Sequence, residues 1–156
     1  MSELIVLLGC VKSKREGQWP ACQLYRGPLW EARWELARAL EPRIIWTLSA
    51  RYGAVTPNLM LESYDQHLVR ADKEWSERVW WVLGLGRQDP KTVLFLAGRR
   101  YRHYLAPCLR KAGHEVIEGL AHMPGHSRQI AVMRQAAELA RQGNKNAALE
   151  LLTQGV

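Results

Sequence analysis

Leu4-Ile5-Val6-Leu7-Leu8-Gly9-Cys10 is the stretch on which the fold turns. A short unbroken apolar run closed by a glycine suits a β-strand covered on both faces, which is the situation of a strand inside a parallel sheet. The same character returns at 43–48 (RIIWTL), at 92–96 (TVLFL) and more weakly at 114–119 (HEVIEG). Between these runs the period changes to that of a helix. One helix is expected from Gly27-Pro28 to residue 40, because proline is tolerated at the first helical position, and Glu41-Pro42 ends it. A second spans 75–85, with Ser76 as its expected N-cap, Glu77 in its first turn and Gly84 and Gly86 weakening its end. A third runs over 99–111 and stops at Ala112-Gly113. A fourth, 127–142, carries Ile130, Met133, Ala137 and Ala140 on one side, and a short fifth covers 144–153. Residues 54–72 show no clear period and read as an irregular segment, functional or disordered.

Four strands, each followed by a helix, predict a single α/β domain over 1–156: a three-layer α/β/α sandwich with a four-stranded, mostly parallel sheet. Its 156 residues are enough to bury a core without staples. Hydrophobic residues at 47% and charged ones at 24% exclude a disordered or fibrous chain. No apolar run reaches bilayer length, so no membrane partner is expected. The first ten residues lack a leading positive charge and a small-residue cleavage site, and so read as a strand rather than a signal peptide. Cys10, Cys22 and Cys108 are odd in number and unpaired in spacing. That argues against a disulfide framework or a thiolate metal site, and fits a reducing cytoplasm.

Lys and Arg number 22 against 15 Asp and Glu, a net charge of +7. Positive charge favours polyanionic partners, although it also serves solubility alone. Of the seven tryptophans, Trp30, Trp34, Trp46, Trp80 and Trp81 fall on helices and a strand and read as structural, which leaves Trp19 and Trp75 for base contact.

Ligands of such sheets bind at the carboxyl ends of the strands. That rule selects four loops. In the first, Cys10, Lys12 and Lys14 follow the strand end, and the lysines can hold phosphates; no Walker spacing is present, and a solvated basic loop is the plain alternative. In the second, Ser49 lacks a nucleophile-elbow frame, Tyr52 can stack on a base or pack under the loop, and Gly53 suits a tight turn. The segment Glu62-Ser63-Tyr64-Asp65-Gln66-His67 is the densest polar cluster. There Asp65 can activate water or stabilise positive charge on a sugar, against the plainer reading of a cap or surface loop. In the third, Gly98, Arg99 and Tyr101 open a helix whose amides attract anions. In the fourth, His122 and His126 flank Pro124-Gly125, which breaks the registry a metal pair would need. A neutral His126 at a helix start can instead donate a hydrogen bond to a leaving base. Lys12, Lys14, Arg51, Arg99, Arg100 and Arg128 all fall on this one predicted edge.

The ordered set Gly9-Cys10-x-Lys12-x-Lys14, Leu24-Tyr25-x-x-Pro28-Leu29, Leu48-Ser49-Ala50-x-Tyr52-Gly53-x-x-x-Pro57, Tyr64-Asp65 and Ala97-Gly98-x-x-Tyr101 resembles a small bacterial and phage family. That family is similar to the YaaA-like peroxide-stress proteins, to the glycosylase-like domain of archaeosine synthase and, more remotely, to uracil-DNA glycosylases. The resemblance implies a uracil-DNA-glycosylase-like fold, a DNA or RNA partner, no cofactor, and strand-end loops that surround a flipped base. The sequence departs from that family at Gly27 and over 124–127, and lacks the glycosylase water-activating motif.

The expectation is therefore a nucleic-acid-directed hydrolase of an N-glycosidic bond, including that of a modified base, working as a monomer or weak dimer. Asp65 and His126 are its expected catalytic residues. Cys10, Lys12, Lys14, Ser49, Tyr52, Gly53, Tyr64, Gly98, Arg99 and Tyr101 are expected to bind substrate. The alternatives are a non-catalytic DNA- or RNA-binding protein and an enzyme of free nucleosides or deazapurine bases.

Overall fold

The decisive run does form a strand covered on both faces. In a computed structural model, which describes residues 3–65, 73–86 and 89–153, β1 (Leu4–Gly9) lies at the centre of a five-stranded sheet. Chain order gives β2 (Gln18–Pro20), α1 (Ala21–Leu24), α2 (Pro28–Ala39), β3 (Ile44–Ser49), β4 (Gly53–Val55), β5 (Met60–Glu62), α3 (Lys73–Leu83), β6 (Thr92–Leu96), α4 (Arg99–Lys111), β7 (Glu115–Glu118), α5 (His126–Arg141) and α6 (Lys145–Thr153). The sheet order is β4-β3-β1-β6-β7. β1 pairs in parallel with β3 and β6, so that Leu7 lies opposite Trp46 on one side and Phe95 on the other.

Alternate residues of β1 feed two separate cores. Val6 and Leu8 pack with residues of α2, α5 and α6, including Leu36, Met133, Ala137 and Leu152. Ile5 and Leu7 pack with α3 and α4, through Val79, Leu83, Leu105 and Leu109. That is a sheet between two helical layers. Each fully buried Leu or Met is worth about 1.5–3 kcal/mol, so the sandwich is held from both faces. Among the described residues no helix is long and apolar enough to cross a membrane.

The expected strand count needs correction. The sheet has a fifth, antiparallel strand, β4, with Ala54 opposite Leu48. β2 and β5 form a separate antiparallel pair. Each of these three is only three residues long. That is too short to show a period in sequence, and so part of the segment read as irregular is extended.

Other boundaries move by one or two residues. α3 begins at Lys73, and Ser76 is buried inside it rather than capping it. Glu77 instead lies 3.9 Å from Lys73 as an exposed i,i+4 pair. Among the tryptophans, Trp81 is 83% exposed and is not a core residue. Trp75 is buried and donates Nε1 to the Ser49 carbonyl at 2.9 Å, so it is structural rather than a base contact. Both reversals occur on one helix whose register against the sheet the periodicity did not fix.

The chain leaves β1 toward β3 on one side and reaches β6 on the other. This is the switch point at which open α/β sheets form a crevice beyond the strand ends. Gly9 closes its floor: a Cβ there would lie 2.8 Å from both Cα and Cβ of Ala97, so only glycine lets the ends of β1 and β6 approach this closely.

Candidate functional site

Two adjoining clusters occupy that crevice. The first sits over β1 and β3 and is built of hydroxyls and rings. Ser49, at the end of β3, is fully buried. Its Oγ accepts the Tyr52 amide at 3.1 Å and donates to Tyr64 Oη at 2.8 Å. Tyr64 Oη is also 2.7 Å from Tyr25 Oη. Tyr52 meets Tyr64 edge-on at 5.5 Å, and its hydroxyl takes the Glu62 amide and donates to the Glu62 carbonyl. Gly53 supplies the turn into β4 with φ of 75°, a backbone shape that side chains resist. Lys14 closes the cluster from outside, its Nζ 4.4 Å from the Tyr64 ring centre and 3.0 Å from the Lys12 carbonyl it donates to. A cation–π contact of this kind contributes about 0.5–1 kcal/mol at a partly exposed site.

On the β6 side the cluster continues through Cys10, whose Sγ lies 2.8 Å from Tyr101 Oη. Tyr101 packs edge-on against Trp75 at 5.5 Å. Burial pushes the hydroxyls of Tyr25, Tyr64 and Tyr101 well above the ordinary tyrosine range, and the neighbouring Cys10 adds to it in each case. These groups therefore stay neutral and act as hydrogen-bonding surfaces, not as anions.

The second cluster lies over β6 and β7 and is cationic. A cavity of about 160 Å³ is lined by Arg33, Arg99, Arg102, His126 and Gln129, together with Gly98 at the start of α4. Arg33, from α2, is 8% exposed and donates to the Gly9 carbonyl at 3.1 Å. It thereby forms a wall shared by both clusters. Burial pushes its guanidinium down to about 10, against the pull of Cys10 and Tyr101. Arg102 donates Nε to the Ala97 carbonyl at 3.1 Å and Nη1 to Glu118 at 2.8 Å. Burial raises Glu118, but hydrogen bonds from Arg102 and Arg110 outweigh this and hold its carboxyl below the usual range.

The crevice thus brings together Cys10, Lys14, Ser49, Tyr52, Gly53, Tyr64 and Tyr101 in one cluster and Gly98, Arg99 and His126 in the other. Lys12 enters through its carbonyl, its side chain being exposed. Asp65 follows Tyr64 directly and is exposed. His126 lines the arginine cavity, on the cationic side of the crevice. Gln66 and His67 lie outside the described residues. Sequence reasoning passed over Arg33, Gln129 and Tyr25 as functional groups, whereas Arg102 belongs to the three-arginine helix start it read as attracting anions. Arg33 carried a usable signal: a charged residue on the apolar stripe of α2, between Ala32 and Leu36, has to have an inward purpose.

A larger cavity, about 580 Å³, opens at the opposite, amino end of the sheet. Glu41, Glu115 and Glu150 line it against Lys145, so its charge suits no polyanion. The chemistry converges on the carboxyl end.

Fold and crevice together define a doubly wound α/β protein with a cluster of hydroxyls and rings, capped by Lys14, beside a cationic cavity. The chain belongs to the family of unknown function DUF6884, whose model matches residues 5–135. That span contains every residue of both clusters and ends within α5. No curated protein matches the chain.

Proposed function

We propose that this protein cleaves the N-glycosidic bond of a nucleotide in DNA or RNA, including one with a modified base. The observation that carries the reading is the adjacency of a cluster of hydroxyls and aromatic rings, with Tyr52 and Tyr101 half-buried, to a cationic cavity across Arg33. A base and a phosphate need those two environments side by side. The likeness of the Ser49-Ala50-x-Tyr52-Gly53 and Tyr64-Asp65 elements to uracil-DNA-glycosylase-like and YaaA-like proteins supports the same class.

In this reading the base lies against Tyr52 and Tyr101, and Lys12, Lys14 and Arg99 hold phosphates. The C1′–N bond breaks with its electron pair leaving on the base, and the sugar develops oxocarbenium character. Asp65, next to Tyr64 in the chain, stabilises that charge and takes a proton from the water whose oxygen bonds to C1′. The departing base takes a proton from solvent, while neutral cleft hydroxyls donate hydrogen bonds to its developing charge. In this reading His126, which lines the cationic cavity, serves the phosphate rather than the base.

The test is incubation with oligonucleotides carrying varied base modifications, scored for abasic sites and released base. Asp65→Asn is expected to lower the rate by about 10²–10⁴-fold. Equal release by variant and wild type removes Asp65 from the mechanism.

A second reading, a non-catalytic nucleic-acid-binding protein, is favoured by the exposure of Asp65 to solvent beside the buried Tyr64. It requires binding that weakens steeply with salt and yields no product on any oligonucleotide.

A further inference from the structure

The arginine cavity carries an inference that does not depend on glycosidic chemistry. Arg33 is more than nine-tenths buried, and among the described residues no carboxylate faces it; its hydrogen-bond partner is a backbone carbonyl. A buried guanidinium without a counter-ion is costly. Arg99 stands at the rim, also without a partner among the described residues, and Arg102 shares Glu118 with Arg110. No acidic residue lines the cavity.

Two helices also begin beside it, Gly98 and Arg99 at the start of α4 and His126 at the start of α5 being among its lining. α4 opens at Gly98 and α5 at Gly125, and neither first turn has a side-chain cap or an acidic residue. Their leading amides and positive dipole ends are thus left for an external acceptor. Leu120, on the cavity wall, is held at φ of 58°, a strained shape for a side-chain-bearing residue. Strain of this kind is kept where a site needs a fixed wall.

Size decides what the cavity can take. About 160 Å³ is room for roughly five waters at about 30 Å³ each, and is well below the 300 Å³ or so at which pockets begin to enclose a whole small molecule. It fits one tetrahedral oxyanion group and leaves sugar and base outside, against the neighbouring cleft.

We propose that this cavity is a binding site for a single phosphate group, held by Arg33, Arg99 and Arg102 and by the amino ends of α4 and α5. The anion is the missing counter-charge of Arg33. Gln129 serves the site indirectly: its amide donates to the Met123 carbonyl at 2.7 Å and fixes the loop before α5.

The probe is inorganic phosphate, titrated calorimetrically and by thermal unfolding against chloride at equal ionic strength. Phosphate is expected to raise Tm beyond the chloride control. The double variant Arg99→Ala/Arg102→Ala is expected to bind it at least about tenfold more weakly, whereas Arg141→Ala, a remote loss of one positive charge and the charge-matched control for Arg99→Ala alone, is expected to bind as wild type does. Equal effects of phosphate and chloride overturn the proposal, as does a loss in Arg141→Ala matching that of the double variant. Should the double variant fail to fold, Arg99→Ala alone, at an exposed position, is judged by the same criteria. A nucleoside 5′-monophosphate and an oligonucleotide without terminal phosphates distinguish the sources: preference for the former assigns a terminal phosphate, and equal affinity an internal phosphodiester. Phosphate binding without base release overturns the glycosidic reading and leaves this site standing; base release without phosphate binding does the reverse.

Discussion

Over β1 and β3 the crevice is lined by hydroxyls and rings that satisfy one another; over β6 and β7 it is lined by cations that do not. Tyr25, Tyr64 and Ser49 exchange hydrogen bonds with no charge involved. Arg33, 3.1 Å from the Gly9 carbonyl, has among the described residues only that neutral hydrogen-bond partner. The first cluster is complete as it stands and presents a preformed surface. The second is complete only when an anion enters. The difference separates shape recognition of a neutral group from capture of a charged one, and places Arg33 between the two.

The widest test of this comparison is alkaline pH. Tyr25, Tyr64 and Tyr101 have native pKa values raised above their ordinary value near 10, chiefly by burial. Above pH 10 the unfolded chain loses those protons while the native one keeps them, so stability falls as pH rises. Arg33 runs the other way. Burial lowers its native value to about 10, below the ordinary arginine range, so above that pH the native state binds fewer protons than the unfolded chain and gains stability with pH. Three groups outweigh one, and cooperative alkaline unfolding is expected in denaturant midpoints taken from about pH 8 to about pH 11. Tyr64→Phe should flatten that fall and Arg33→Met should steepen it. If the two variants leave the slope alike, the contrast between the clusters is wrong.

The next largest effect concerns the seam between the halves. Gly9→Ala puts a methyl 2.8 Å from Ala97 Cα, which is backbone and cannot rotate away. A cost of about 3 kcal/mol is expected in chemical denaturation. Gly98→Ala is the control: nothing lies within 4 Å of its added Cβ, and the cost should stay below about 1 kcal/mol. Similar losses at both glycines would mean that the seam is not tightly packed.

The smallest effect divides the hydroxyl cluster itself. Tyr64→Phe leaves the buried Ser49 hydroxyl without its acceptor and should cost about 2 kcal/mol. Tyr101→Phe removes only the Cys10 thiol contact and should cost less than about 1 kcal/mol. Reversed magnitudes would place the rigid part of the cleft on β6 rather than β3.

Much of this layout was legible in the sequence because strand-end position is a one-dimensional property. Once 4–8, 43–48, 92–96 and 114–119 are read as parallel strands, Cys10, Ser49, Gly98 and Tyr101 must share one edge, and they do. Asp65 and His126 came from the same rule, yet one is exposed and the other faces the arginines. Loops after a strand end can point several ways, and sequence does not say which.

The sequence by itself determined the alternation of strands and helices, the buried central strand and the basic carboxyl edge, because apolar period and glycine or proline stops are local properties of the chain. Tertiary structure alone decided the three-residue strands, the inward turn of Trp75 against the outward turn of Trp81, and the burial of Arg33. Each of these depends on which neighbour a residue meets across the sheet, and that neighbour is distant in the chain. The division of the edge into a neutral and a cationic half is of the same kind. It arises because Arg33 of α2 reaches the Gly9 carbonyl of β1, 24 residues away, at the point where the two clusters meet.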